Sequence, residues 1–207
     1  ELMNKPAEGT KIITCHLGGG CSITAVKDGK SFDTSMGLTP LDGFMMGTRS
    51  GAVDPSAILY IMKKENIDPD TMSTILNKKS GVLGISQLTS DNRDITAAIA
   101  QGHKGADLAR KMQVYQITKV IGSYVAAMNG VDAITFTGGI GENAADMREL
   151  ICENLSYLGF KLDEKLNREK ILGAEGVIST ADSKVTVYVV PTEEELMIAR
   201  DTAKLVS

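Results

Sequence analysis

The sequence predicts an α/β domain, a mixed sheet flanked by helices, on three observations. Short β-branched runs end at glycines, as strands buried in a sheet do. An Asp28-Gly29 dipeptide sits between two further strand-like runs and supplies the positive φ angles of a tight hairpin turn. After these the runs alternate with helical patterns, the longest spanning more than twenty residues.

In chain order, Lys11 to Cys15 reads as a strand buried on both faces, and Cys21 to Val26 with Lys30 to Thr34 as a hairpin. Asp54 is an N-cap followed by Pro55 at the first helical position, with Ile58, Leu59 and Met62 on the side that packs. A second short helix covers Met72 to Leu76, and another begins near Ile95. The central packing helix runs from about Ala106 to Met128. Leu108, Met112, Tyr115, Ile121, Val125 and Met128 form its apolar side, and Asn129-Gly130 closes it. Ala133 to Phe136 is a strand, a helix starts near Asn143, Val185 to Val190 is the last strand, and a helix follows Pro191. No repeat, low-complexity tract or linker divides the chain, so residues 1–207 read as one domain.

Composition narrows the function. With 207 residues, 43% hydrophobic content and 21 glycines, there is enough chain for one sizeable core. A net charge of −4 without a Lys/Arg stripe argues against nucleic-acid binding, since few counterions would be released. No apolar run reaches membrane-spanning length, and the lead from Glu1 to Pro6 lacks a signal-peptide pattern and has the character of a cut end. Cys15, Cys21 and Cys152, odd in number and without CxxC spacing, read as reduced thiols of a cytoplasmic protein.

Two loops follow buried strands and share one logic. His16-Leu17-Gly18-Gly19-Gly20 and Gly138-Gly139-Ile140-Gly141-Glu142-Asn143 can bring backbone amides close to a phosphate or ribose, where a Cβ would block the approach. Each is also compatible with a plain tight turn. The second, with Ala144, fits Gly-x-Gly-x-x-Ala and so raises a dinucleotide-binding dehydrogenase as a rival, though such a motif belongs in a first βα unit and here comes late. His16 is either a phosphate donor or a satisfied core histidine, and His103 reads as a loop residue without a role. Arg49, within Gly47-Thr48-Arg49-Ser50-Gly51, is the candidate catalytic residue: its planar fork suits a phosphoryl group, unless it pairs with a surface carboxylate. Asp91, Asn92 and Arg93 read by spacing as an N-cap and first helical turn. Thr192 and Glu195 read as a capping box, which leaves Glu194 free to hold Mg²⁺.

These loops, with Asp33-Thr34-Ser35-Met36-Gly37, Thr39-Pro40-Leu41, Met45 to Gly51 and the Pro191-Thr192 and Glu194-Glu195 pairs, occur in the same order in acetate kinases and the similar propionate kinases. The sequence resembles the C-terminal, nucleotide-binding domain of that family, whose N-terminal domain is absent from this chain. The resemblance implies a ribonuclease H-like, actin-like ATPase fold and reversible Mg²⁺-dependent phosphoryl transfer between ATP and acetate, giving acetyl phosphate and ADP. A propionate kinase, or a non-catalytic actin- or chaperone-like nucleotide switch, is the alternative. It further implies that His16 to Gly20 bind phosphates, that Asp91 to Arg93 and Gly139 to Asn143 surround the adenosine, that Glu194 binds the metal, that Arg49 stabilises the transition state, and that Pro40 walls the acyl pocket. Its partners would be ATP or ADP, a short-chain carboxylate and a second copy in a homodimer. Gly19 and Glu193 depart from the family, which usually carries asparagine at both places. With the first domain missing, such a fragment should bind nucleotide but lack full activity.

Overall fold

The structure, a computed structural model, describes residues 2–206; Glu1 and Ser207 lie outside them. Three strands, β1 (Lys11–Leu17), β2 (Cys21–Lys27) and β3 (Lys30–Thr34), form an antiparallel meander whose second turn is Asp28-Gly29, with φ of 54° and 72°. Two later strands, β4 (Ala133–Thr137) and β6 (Thr186–Val189), run parallel to β1, and the two-residue β5 (Gly176–Val177) closes the edge. The order β3-β2-β1-β4-β6-β5 makes a mixed six-stranded sheet, as expected for a ribonuclease H-like domain. The antiparallel opening excludes the all-parallel doubly wound sheet of a dehydrogenase.

Between β3 and β4 lie α1 (Pro55–Glu65), α2 (Pro69–Lys78), α3 (Gly81–Ser86), α4 (Asn92–Ala100) and α5 (Lys104–Met128). After β4 come α6 (Gly138–Asn143), α7 (Ala145–Glu153), α8 (Glu164–Glu169) and, following β6, α9 (Glu194–Val206). The main core joins Ile13, Cys15, Leu17 and Ile23 of the meander to Ile134 and Phe136, Val187 and Val189, and to α5 and α7. All three cysteines are buried thiols.

Four sequence expectations are corrected. β1 alternates: Ile13, Cys15 and Leu17 are buried, while Thr14 and His16 on its other face are half-buried. No residue of α1 is buried, so Leu59 faces outward. On α5, Leu108, Met112 and Tyr115 are exposed, and the N-terminal half instead buries Ala106, Ala109, Arg110 and Gln113. Small side chains there let α3 and α4 pack closely, and a second cluster of Met45, Val82 and Ile95 fills that seam. Finally, His103 has a role, since its Nδ1 accepts from the Ala106 amide at 3.1 Å and caps α5.

Candidate functional site

Three parallel strands, β1, β4 and β6, all deliver their carboxyl ends to one side of the sheet. There the glycine loops and the Thr192 to Glu195 segment converge, where α/β sheets characteristically place ligands. Close juxtaposition of the loops explains their glycines. Gly138 has φ of 76°, and a Cβ on it would lie 2.8 Å from the Leu17 carbonyl oxygen and 3.1 Å from His16 Nε2. His16 thus stands between the two loops, half-buried and not sealed in the core. At Gly19 and Gly139, by contrast, a Cβ would meet nothing within 4 Å. A side chain would therefore fit at Gly19, which points into open space.

The expected loop from Gly138 to Asn143 is a short helix, α6, and two of its side chains are spent on holding it. Glu142 Oε1 accepts from the Gly138 amide and from the Thr192 amide, each at 3.0 Å, stapling the end of β4 to the segment after β6. Thr192 Oγ1 completes the joint, accepting from Gly138 N at 3.1 Å and lying 2.6 Å from Thr137 Oγ1. The Thr192 hydroxyl is therefore turned to β4, and the capping box predicted with Glu195 does not form. Asn143 donates to the Gly139 carbonyl at 3.0 Å and accepts from the Leu172 amide at 2.8 Å.

Beneath α6, Arg148 is completely buried. Its Nη1 donates to the carbonyls of Gly141 and Glu142, both at 2.8 Å, its Nη2 to Lys170 O at 3.0 Å, and its Nε to Asn167 Oδ1 at 2.7 Å. Burial pulls this guanidinium down to about 10, so it remains a cation at neutral pH.

A cleft of about 890 Å³ opens beside these loops, lined by Gly18, Gly19, Asp91 to Arg93, Gly139, Ile140 and Asn143 from the sequence expectations. Asp91 caps α4 as its spacing predicts, accepting from the Arg93 amide at 2.8 Å. Its carboxylate is also gripped by the Arg93 guanidinium, at 2.8 and 3.2 Å, which holds it down at about 2. Sequence reasoning missed Thr96, Asp146 and Leu172 in the same lining. Thr96 was accessible as the residue one helical turn beyond Asn92, on the same face. Asp146 is tied to it through a buried arginine on α5: Arg110 donates to Asp146 at 2.8 Å, to Asn92 Oδ1 at 2.7 Å and to Thr96 at 3.0 Å, joining the two walls.

Arg49 reaches the first loop from the segment after β3. A Cβ on Gly20 would lie 3.0 Å from its Nη1, and the same nitrogen lies 3.5 Å from the buried Met46 sulfur. Among the described residues it forms no ion pair, so the surface-pairing reading of this arginine does not hold. Glu194 begins α9 and, with Thr192, Glu193 and Glu195, lines an acidic hollow of about 520 Å³. Among the described residues no three acidic, histidine or cysteine side chains cluster as a self-sufficient metal site. Pro40 stands apart from the cleft on an exposed loop beside the fully exposed Leu38.

The sequence profile of the Acetokinase family matches residues 1–200. A curated acetate kinase from Thermoanaerobacterium thermosaccharolyticum is 60% identical over 207 residues, covering 100% of this chain and 51% of the relative. The crystal structure of Porphyromonas gingivalis acetate kinase superposes with a TM-score of 0.92 at 50% identity, over 97% of this chain and 50% of that one. A Francisella tularensis propionate kinase superposes with a TM-score of 0.86 at 46% identity, over 92% of this chain and 48% of that one. The chain thus spans about half the length of the relatives it matches. The glycine loops, an Arg49 without an ion pair among the described residues, and these similarities agree: the chain belongs to the acetokinase family.

Proposed function

We propose that residues 1–207 are the C-terminal, nucleotide-binding domain of an acetate kinase, which transfers a phosphoryl group reversibly between ATP and acetate to give acetyl phosphate and ADP. What carries this reading is the convergence of both glycine loops and Asp91 to Arg93 on one cleft, with the Arg49 guanidinium, which has no ion pair among the described residues, at Gly20. Gly18 to Gly20 and His16 take the phosphates, while Asp91 to Arg93 and Gly139 to Asn143 surround the nucleoside, Glu142 acting through the staple it forms. An oxygen of the acetate carboxylate attacks the γ-phosphorus in line as the bond to the bridging oxygen of ADP breaks. Arg49 holds the equatorial oxygens, on which charge accumulates. No proton moves and no side chain is phosphorylated.

A single carboxylate at Glu194 fits Mg²⁺ held jointly by protein and nucleotide, because this ion keeps waters and phosphate oxygens as its other ligands. When bound, it neutralises charge on the phosphate oxygens. Pro40, on its exposed loop, would wall the acyl pocket against the half of the protein outside this chain. Full activity requires that half. Family membership also carries the expectations of a homodimer and a cytoplasmic setting. Propionate is the second candidate acceptor, given the likeness to a propionate kinase.

Calorimetric titration of the 207-residue chain with ADP, with and without Mg²⁺, and with NAD as control, tests the reading. Saturable ADP binding, strengthened by Mg²⁺, is expected, with none for NAD. Absence of ADP binding, or preference for NAD, would refute it.

A further inference from the structure

Leu172 is placed unlike any other apolar side chain in the cleft. It is 87% exposed, and its φ of 54° is in the left-handed region, which a branched side chain rarely adopts. Such a conformation persists where the surroundings over-determine it, and here they do. The Leu172 amide is held by Asn143 Oδ1 at 2.8 Å, and the Lys170 carbonyl, two residues back, by the buried Arg148 at 3.0 Å. Both anchors are also fixed to α6, Asn143 through Gly139 and Arg148 through Gly141 and Glu142. The backbone is thus fastened so that a leucine is withheld from the core and exposed at the cleft.

Most of the lining is glycine, alanine, hydroxyl or charged groups, suited to phosphates and ribose; Ile140 and Leu172 are its two large apolar side chains. Gly138 lies against Leu17 and His16 at the phosphate loop. From there α6 rises by roughly 7.5 Å to Asn143, at about 1.5 Å per residue, the scale of a nucleoside. Leu172, bonded to Asn143, is therefore at the base end.

Resting on the nucleotide reading of this cleft, we propose that Leu172 is the apolar platform on which the flat face of the nucleotide's base lies. Its exposed surface is covered when the base is bound, which offsets the backbone strain kept in the free protein.

The test is ADP titration of the native chain and of L172N and L172M, each with a thermal melt. Asparagine tolerates the left-handed backbone, so L172N should melt no lower than the native chain, yet bind ADP about tenfold more weakly, as expected from losing roughly half a leucine's burial. L172M, which keeps an apolar surface, should bind ADP within about twofold of native on the same scale. An L172N chain with native affinity would overturn the proposal, as would an L172M chain as weak as L172N. A native chain that binds no ADP would instead overturn the nucleotide reading itself, and the platform with it.

Discussion

Replacing Glu142 should damage the fold through two backbone amides and not through any contact with nucleotide. Its Oε1 accepts from Gly138 and Thr192 at 3.0 Å each, and these are the first residue of α6 and the segment after β6. Hydrogen bonds to a charged group contribute about 1.5–3 kcal/mol each, and because Thr192 is exposed the lower figure applies, giving about 3 kcal/mol for the pair. At roughly 2–4 °C per kcal/mol for a chain of this size, Glu142→Ala should lower Tm by about 6–12 °C. Glutamine keeps an oxygen acceptor but not the charge, so Glu142→Gln should lose about half as much, roughly 3–6 °C. Circular dichroism melts of the three proteins measure this directly. A Glu142→Ala chain melting within about 2 °C of native would refute the staple on that conversion. So would a Glu142→Gln chain less stable than Glu142→Ala.

On the proposed function, Arg49→Ala in the complete protein should slow turnover by about 10²–10³-fold, the usual loss for one preorganised donor to a transition-state oxygen, while ADP affinity changes only a few-fold; an equal effect on both would remove its transition-state role. Burial pushes the Cys21 thiol up to about 11 and that of Cys152 up to about 12, from an ordinary value of 9.0. The unfolded chain therefore loses these protons first, so their contribution to stability is complete below pH 9.0 and fades as the pH climbs to 11 or 12. Urea midpoints measured from pH 8 to 11 should fall along this limb, and Cys152→Ala should flatten it; an unchanged slope would contradict the burial argument.

Much of the site was legible because glycines and caps act locally. Asp28-Gly29 forms its turn, Asp54 and Asp91 cap their helices, and the two glycine loops follow strands, each from a handful of neighbouring residues. Arg49 was legible as a candidate from its small, hydroxyl-rich neighbours. That it meets no carboxylate among the described residues and sits at Gly20 could not be read, because its partner loop lies nearly thirty positions earlier in the chain. Leu172 left no signal, since its exposure depends on Asn143 and on Arg148, which sequence reading had no reason to connect.

By itself the sequence determined the α/β class, the family resemblance, and the residues that could approach a phosphate, because turn chemistry, strand patterning and motif order are properties of short segments. Tertiary structure alone decided which side chains are spent on architecture and which remain available. Glu142, Asn143 and Thr192 carry polar groups that any ligand could use, yet backbone groups take them first, some within α6 and others, at Thr192 and Leu172, brought near by the fold. It likewise decided that α5 buries alanines and an arginine while Leu108 and Tyr115 face outward. The physical reason is the same in both cases: hydrogen bonding and burial are settled by what the fold places opposite a residue, and periodicity along the chain carries no record of that partner.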